Sequence, residues 1–242
     1  MRSAVISDSP AWPLIERCRR ELAHCGTTAT HAAWAPGRVN LIGEHVDYAG
    51  GMCLPFSIDR WCVAVGRASR GEQSVLRSLD VGEPMRLSLR GLGSAHWPGM
   101  PPWARYVAGS LRLAMGDVPF EVEACVASNV PIGAGLSSSA AVEVACVTLA
   151  GALLGRARTC REIAAIARQA EHECAGVPCG IMDQLCSACG RAGHAMCIDS
   201  LTGGVQYSPL PPRACLVMIA VDTGVRHSLS DGWYGDLPRV AQ

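Results

Sequence analysis

Lysine is missing from this chain: all 21 basic residues among its 242 are arginine. That excludes the phosphate loop G-x-x-x-x-G-K-[ST], whose lysine reaches the β- and γ-phosphates. Excess charge of either sign is missing too. Basic and acidic residues balance at a net charge of zero, and only 17% of residues are charged. No basic stripe or acidic tail points to nucleic acid or a membrane surface as partner. No run is long and apolar enough to span a bilayer, which takes about 20 residues. The longest, residues 140–155, is interrupted by Glu143. The opening MRSAVISDSPAWPL has no apolar core of a signal peptide, so a cytoplasmic protein is expected.

Cysteine is plentiful, with 13 residues, but the chain is too large for a small disulfide scaffold. Free and mostly buried thiols are expected in a reducing compartment. Cys174, Cys179, Cys186 and Cys189 invite a zinc reading. Only the last pair has C-x-x-C spacing and no second pair faces it, so no metal–thiolate site is expected. Hydrophobic residues make up 49% of the chain, enough for a sizeable core.

The most informative stretch is NVPIGAGLSSSAA, residues 129–141. The preceding residues 120–126 alternate like a strand. Residues 140–154 have the length and composition of a helix. Gly133 and Gly135 sit at the turn, and Ser137, Ser138 and Ser139 stand where the helix starts. Glycine lets the backbone approach an anion closely, and a helix start offers free N–H groups and partial positive charge. This is a candidate phosphate cradle; an ordinary serine-capped strand–turn–helix is the alternative.

Elsewhere, residues 13–25 have amphipathic helical spacing. Residues 33–35 end a strand before a Pro36-Gly37 turn. Residues 52–58, 61–65, 72–79, 85–89, 195–199 and 216–221 read as strands, residues 96–102 as a broken loop and 103–115 as a helix. Residues 159–174 form another helix, with Thr159 and Glu162 at capping-box spacing. Glu171 near its end opposes the helix dipole, which suggests a positive partner or a metal; a plain surface glutamate is the alternative. In WAPGRVNLIGEHVDYAGG, residues 34–51, Glu44, His45, Asp47 and Tyr48 crowd hydrogen-bonding groups into a glycine-bounded loop that suits a ligand with several hydroxyls; a solvated turn is the alternative for the run taken alone. Arg38 precedes them. Asp183 lies between Ile181-Met182 and Leu185-Cys186, so it must be hydrogen-bonded or paired; it is a candidate base held near an arginine, with a helix N-cap or structural acid as the alternative.

Three stretches together resemble the GHMP small-molecule kinases and, within them, the galactokinase family. They are GRVNLIGEHVDYAGG (residues 37–51), PIGAGLSSSAA (131–141) and EHECAGVPCGIMDQ (171–184), with GHAMCIDS shortly after and VRHSL (225–229) as a fourth. The resemblance implies an α+β fold of the ribosomal protein S5 domain 2-like type, a mixed sheet with packed helices. A helical segment, residues 1–33, would precede the N-terminal lobe at 34–222, and residues 223–242 would begin a C-terminal lobe that is otherwise absent. The implied activity is transfer of the γ-phosphate of ATP to O1 of galactose with Mg²⁺. Asp183 would be the base and Arg38 its neighbour. Glu44, His45, Val46, Asp47 and Tyr234 would bind the sugar. Ser78, Gly133, Ala134, Gly135, Leu136, Ser137, Ser138 and Ser139 would bind ATP, and Ser139 and Glu171 the magnesium, as hard oxygen donors. Val46 and Ala49 replace the threonine and asparagine common in the family, which leaves a related sugar 1-kinase for arabinose or N-acetylgalactosamine open. The short C-terminus leaves a non-catalytic sugar or nucleotide binder open. Apolar surface should be exposed where a second lobe would pack.

Overall fold

The computed structural model of the chain describes residues 6–118, 120–212, 215 and 217–221. Five strands make a mixed sheet in the order β1 (His31–Asn40), β3 (Pro55–Ser69), β6 (Glu121–Ser128), β4 (Ser74–Ser78), β5 (Met85–Leu87). The β4–β6 pair is parallel and the other pairs antiparallel. It follows that β1, β6 and β4 all point the same way, and their C-terminal ends share one edge of the sheet. A second, antiparallel sheet joins β2 (Met52–Cys53), β7 (His194–Asp199) and β8 (Gly204–Pro209).

The helices divide between the faces. The helix α1 (Trp12–His24) lays Leu14, Ile15, Cys18 and Leu22 against Val63, Val65, Cys125 and Ala127 on one face. The alternating residues Ala64, Ala124 and Val126 point to the other, as the two-residue period of strands requires. There they meet α2 (Pro102–Met115), α3 (Ser138–Leu153) and α4 (Cys160–Ala170). Because α3 lies between the sheet and its neighbouring helices, it is apolar almost all round, with Glu143 fully buried at its middle. Thr159 caps α4 and receives the N–H of Glu162, and the Glu162 carboxylate returns to Thr159 N, as the spacing predicts. The helix α5 (Met182–Cys189) packs Leu185 and Cys186 against Met196 and Ile198 of the second sheet.

Several expectations are corrected. Pro36-Gly37 is not a turn: β1 runs through it, with a bulge between Pro36 and Arg38 that spares proline a ladder bond. Residues 55–69 are one strand, not two; Asp59-Arg60, between the two expected strands, sits opposite this same bulge. Residues 217–221 form no strand, while β8 was not foreseen. Thiols are not all free: Cys160 and Cys189 form a disulfide between the start of α4 and the end of α5. The two lie 29 residues apart, and only the packing of α4 on α5 brings them together. The remaining cysteines among the described residues are free and mostly buried. Leu41, Ile42, Met52, Ile132 and Leu201 are exposed apolar side chains. No described helix is long and apolar enough to cross a membrane.

Candidate active site

The site is assembled at the shared strand edge. The β1 bulge aims Arg38 at the glycine–serine loop that follows β6. Gly37 makes the approach possible: a Cβ there would stand 2.8 Å from the Leu136 carbonyl oxygen and 3.0 Å from Val130 Cγ1. Arg38 N–H donates to the Leu136 carbonyl at 3.2 Å, and its Nη1 to the Gly135 carbonyl at 2.7 Å. The other edge of the guanidinium grips Asp183, Nε to Oδ1 at 2.7 Å and Nη2 to Oδ2 at 2.8 Å. This is the paired, charge-assisted geometry that fixes a carboxylate's orientation as well as its place.

Asp183 is held from its own side as well. The Ser187 hydroxyl donates to the Pro36 carbonyl at 2.7 Å and the Ser57 hydroxyl to the Cys186 carbonyl at 3.0 Å, so α5 is fastened to both strands of the bulge. Tyr207 anchors the far end of α5 at the Cys189 carbonyl. Ser137 departs from the role of a helix cap. Its backbone is left-handed, φ 57°, and its hydroxyl donates to Asp183 Oδ2 at 2.6 Å instead of capping α3. Together with the positive φ of Gly133 and Gly135, this curls the loop so that its backbone is open for an anion next to the start of α3.

Glu171 ends α4 and opens a single π turn, Glu171–Ala175, a local irregularity common at functional positions. It is buried, and none of the ion pairs among the described residues involves it. Of the positive partner or metal expected from its place at a helix end, no described side chain supplies the first. Neutral donors meet it instead: the Cys179 thiol at 3.2 Å, the Gln184 amide and the Ser139 hydroxyl. Burial pushes the Glu171 carboxyl up to about 7, and the charge of Asp183 adds to this. Glu143 faces the same point and burial raises its carboxyl well above the ordinary range. Glu171 is thus a buried carboxyl beside a loop hydroxyl that meets only neutral donors among the described residues.

Of the loop residues 44–48, Asp47 lies near enough to Asp183 to feel its charge. Asp47 is half-buried and backs onto Gly180, where a Cβ would overlap its carboxylate. Its carboxyl is raised by burial and by the charge of Asp183. Val46 is half-buried, and its carbonyl closes the loop by accepting the N–H groups of Ala49 and Gly51. Glu44 and His45 are exposed, and His45 has a left-handed backbone, φ 58°. Ser78 is not drawn into this constellation. It ends β4, and its hydroxyl accepts the N–H groups of Asp80 and Val81 in the following turn. Tyr234 and the stretch 225–229 lie outside the described residues. Gln184, Glu143 and Cys179 were not foreseen as site residues; the one signal was an acid, Glu143, inside an otherwise apolar run.

This geometry has counterparts in known proteins. The signature described as GHMP kinases N terminal domain matches residues 104–191, and a galactokinase galactose-binding signature matches residues 23–68. A galactokinase of Canis lupus familiaris is 39% identical over 236 residues, 96% of this chain and 60% of its own length. A human galactokinase is 41% identical over 84% of this chain and 53% of its own length. The chain thus spans 60% or less of these relatives. Among solved structures, Lactococcus lactis galactokinase complexed with galactose superposes over 81% of this chain and 51% of its own, with TM-score 0.70 at 24% identity. Methanococcus jannaschii mevalonate kinase does so over 75% of this chain and 56% of its own, with TM-score 0.60 at 17% identity. At that identity these two likenesses speak for the fold. The chain belongs to the GHMP kinases and, within them, to the galactokinase family.

Proposed function

We propose that this chain carries the catalytic half of a galactokinase, which transfers the γ-phosphate of ATP to O1 of galactose. The observation that carries the reading is the position of Arg38. One guanidinium bridges the Asp183 carboxylate and the Gly135 carbonyl, so proton acceptor and phosphate loop form one rigid unit. Phosphoryl transfer relies mostly on such positioning and on charge stabilisation.

In this reading Asp183 accepts the proton of the sugar's O1 hydroxyl through Oδ1, the oxygen that Ser137 leaves free. Arg38 holds the carboxylate in place and its positive charge faces the transferring phosphate. Asp47, with Glu44, His45 and Val46, receives the sugar hydroxyls. Residues 133–139 cradle the phosphates of ATP with backbone N–H groups, and Ser139 and Glu171 hold Mg²⁺. Bound Mg²⁺ would supply neutralisation of charge on the phosphate oxygens. A cytoplasmic setting, where sugar and ATP meet, belongs to the same proposal.

The test is turnover by the purified chain with ATP, Mg²⁺ and galactose, with arabinose and N-acetylgalactosamine run in parallel. Asp183→Ala is expected to lower kcat by about 10²–10⁴-fold while sugar binding survives. Turnover unchanged in Asp183→Ala refutes the assignment of the base. Galactose binding without turnover in the unaltered chain makes it a sugar-binding protein instead.

A further inference from the structure

We propose that Gln184 is a positioning residue that fixes the metal-binding half of the site. The inference rests on the reading of Glu171 and Ser139 as metal ligands. Gln184 is fully buried and follows Asp183 on the first turn of α5. Successive helix residues point about 100° apart. The backbone that aims Asp183 at Arg38 therefore aims Gln184 at a different group, the end of α4. Its amide nitrogen donates to Glu171 Oε2 and also to Glu143 Oε2, the latter at 3.3 Å. One NH₂ group thus serves two carboxylates that come from α3 and from the end of α4.

The chemistry of that junction calls for this side chain. Glu143 and Glu171 are both buried, neither has an ion-pair partner among the described residues, and both reach the same amide nitrogen. A neutral side chain with two N–H groups separates them and donates to both without adding charge. An arginine would occupy the place of the cation, and an apolar residue would leave both acids without this donor. The Gln184 and Cys179 bonds both fall on Oε2 of Glu171. Two donors on one oxygen hold the carboxylate in one orientation. Among the described residues Gln184 Oε1 and Glu143 Oε1 have no hydrogen-bond partner, so what Gln184 gives this junction is donation from its amide nitrogen. Groups that orient a metal ligand in this way typically change metal affinity by about 10–100-fold when removed.

Thermal melting of the full chain tests this. Mg²⁺ is titrated against a non-hydrolysable ATP analogue, with analogue plus EDTA and galactose alone as separate arms. Gln184→Met keeps the volume and removes both donors. Gln184→Asn keeps the amide but falls one methylene short of spanning both acids, and is titrated in parallel in case the methionine variant does not purify. The expected result is a Mg²⁺ concentration for half-maximal shift raised about 10–100-fold in either variant, with the galactose shift unchanged. A purely structural glutamine would lower every melting temperature but leave the Mg²⁺ midpoint where it was, and that result overturns the proposal. If the unaltered chain shows no Mg²⁺-dependent nucleotide shift at all, the kinase reading itself fails, an outcome distinct from equal midpoints in wild type and variants.

Discussion

Replacing Glu171 by glutamine should stabilise the metal-free protein, and do so only above mildly acidic pH. Burial raises the carboxyl from 4.5 to about 7 in the folded chain. Between those two values the native state keeps a proton that the unfolded chain has released. Native protein therefore binds more protons there, and stability falls as pH rises through the window. Below pH 4.5 both states are protonated and the penalty vanishes. Above pH 7 it is fully present, and a displacement of this size corresponds to about 3 kcal/mol. Glutamine has the same shape and no charge to bury. In EDTA, Glu171→Gln should match wild type near pH 4.5 and exceed it by about 3 kcal/mol at pH 8. For a chain of this size that is roughly 6–12 °C in melting temperature. Added Mg²⁺ with nucleotide should then raise the wild type alone, because the variant lacks the charged ligand. Parallel profiles for the two proteins from pH 4.5 to 8 would refute the claim that Glu171 is buried without a cation.

Two further outcomes follow from the packing. Gly180→Ala places a methyl group into the Asp47 carboxylate, so the sugar loop must shift; steady-state kinetics should show kcat/KM for the sugar falling about 10²-fold with the KM for ATP nearly unchanged. Equal losses for both substrates would show that the glycine serves the whole site instead. Reduction of Cys160–Cys189, or Cys160→Ser, reopens a loop of 29 residues and should cost about 3–4 kcal/mol on the chain-entropy account. Urea denaturation with and without a thiol reductant reads this directly, and coincident midpoints in the two conditions would contradict it.

Much of the fold and part of the site were legible in the chain's local patterns. The helix periodicities, the capping box at Thr159 and the strand before the glycine turn all depend on neighbours within a few residues, and each appears in the structure. Motif residues Arg38, Asp183 and Ser137 could be named one by one. Their association could not, since Arg38 and Asp183 are separated by 145 positions. Local reading also misled where tertiary pairing overrides propensity. Proline and glycine at 36–37 signal a turn, yet a bulge lets β1 run through them. Strands expected at 52–58 and 61–65 are joined in β3, where Asp59-Arg60 projects into solvent opposite the bulge.

By itself, then, the sequence determined which groups are on hand: a glycine–serine loop at a helix start, a polar loop bounded by glycines, two acids and an arginine, and no lysine for the alternative phosphate loop. These follow from residue type and short spacing, which a linear chain displays. The tertiary structure alone decided which groups meet. It turned Ser137 from a helix cap into a partner of Asp183, joined Cys160 to Cys189, and buried Glu143 and Glu171 around a single glutamine amide. The physical reason is that burial and pairing energies arise between residues far apart in sequence. They appear only once the sheet edge, α3, α4 and α5 are packed together.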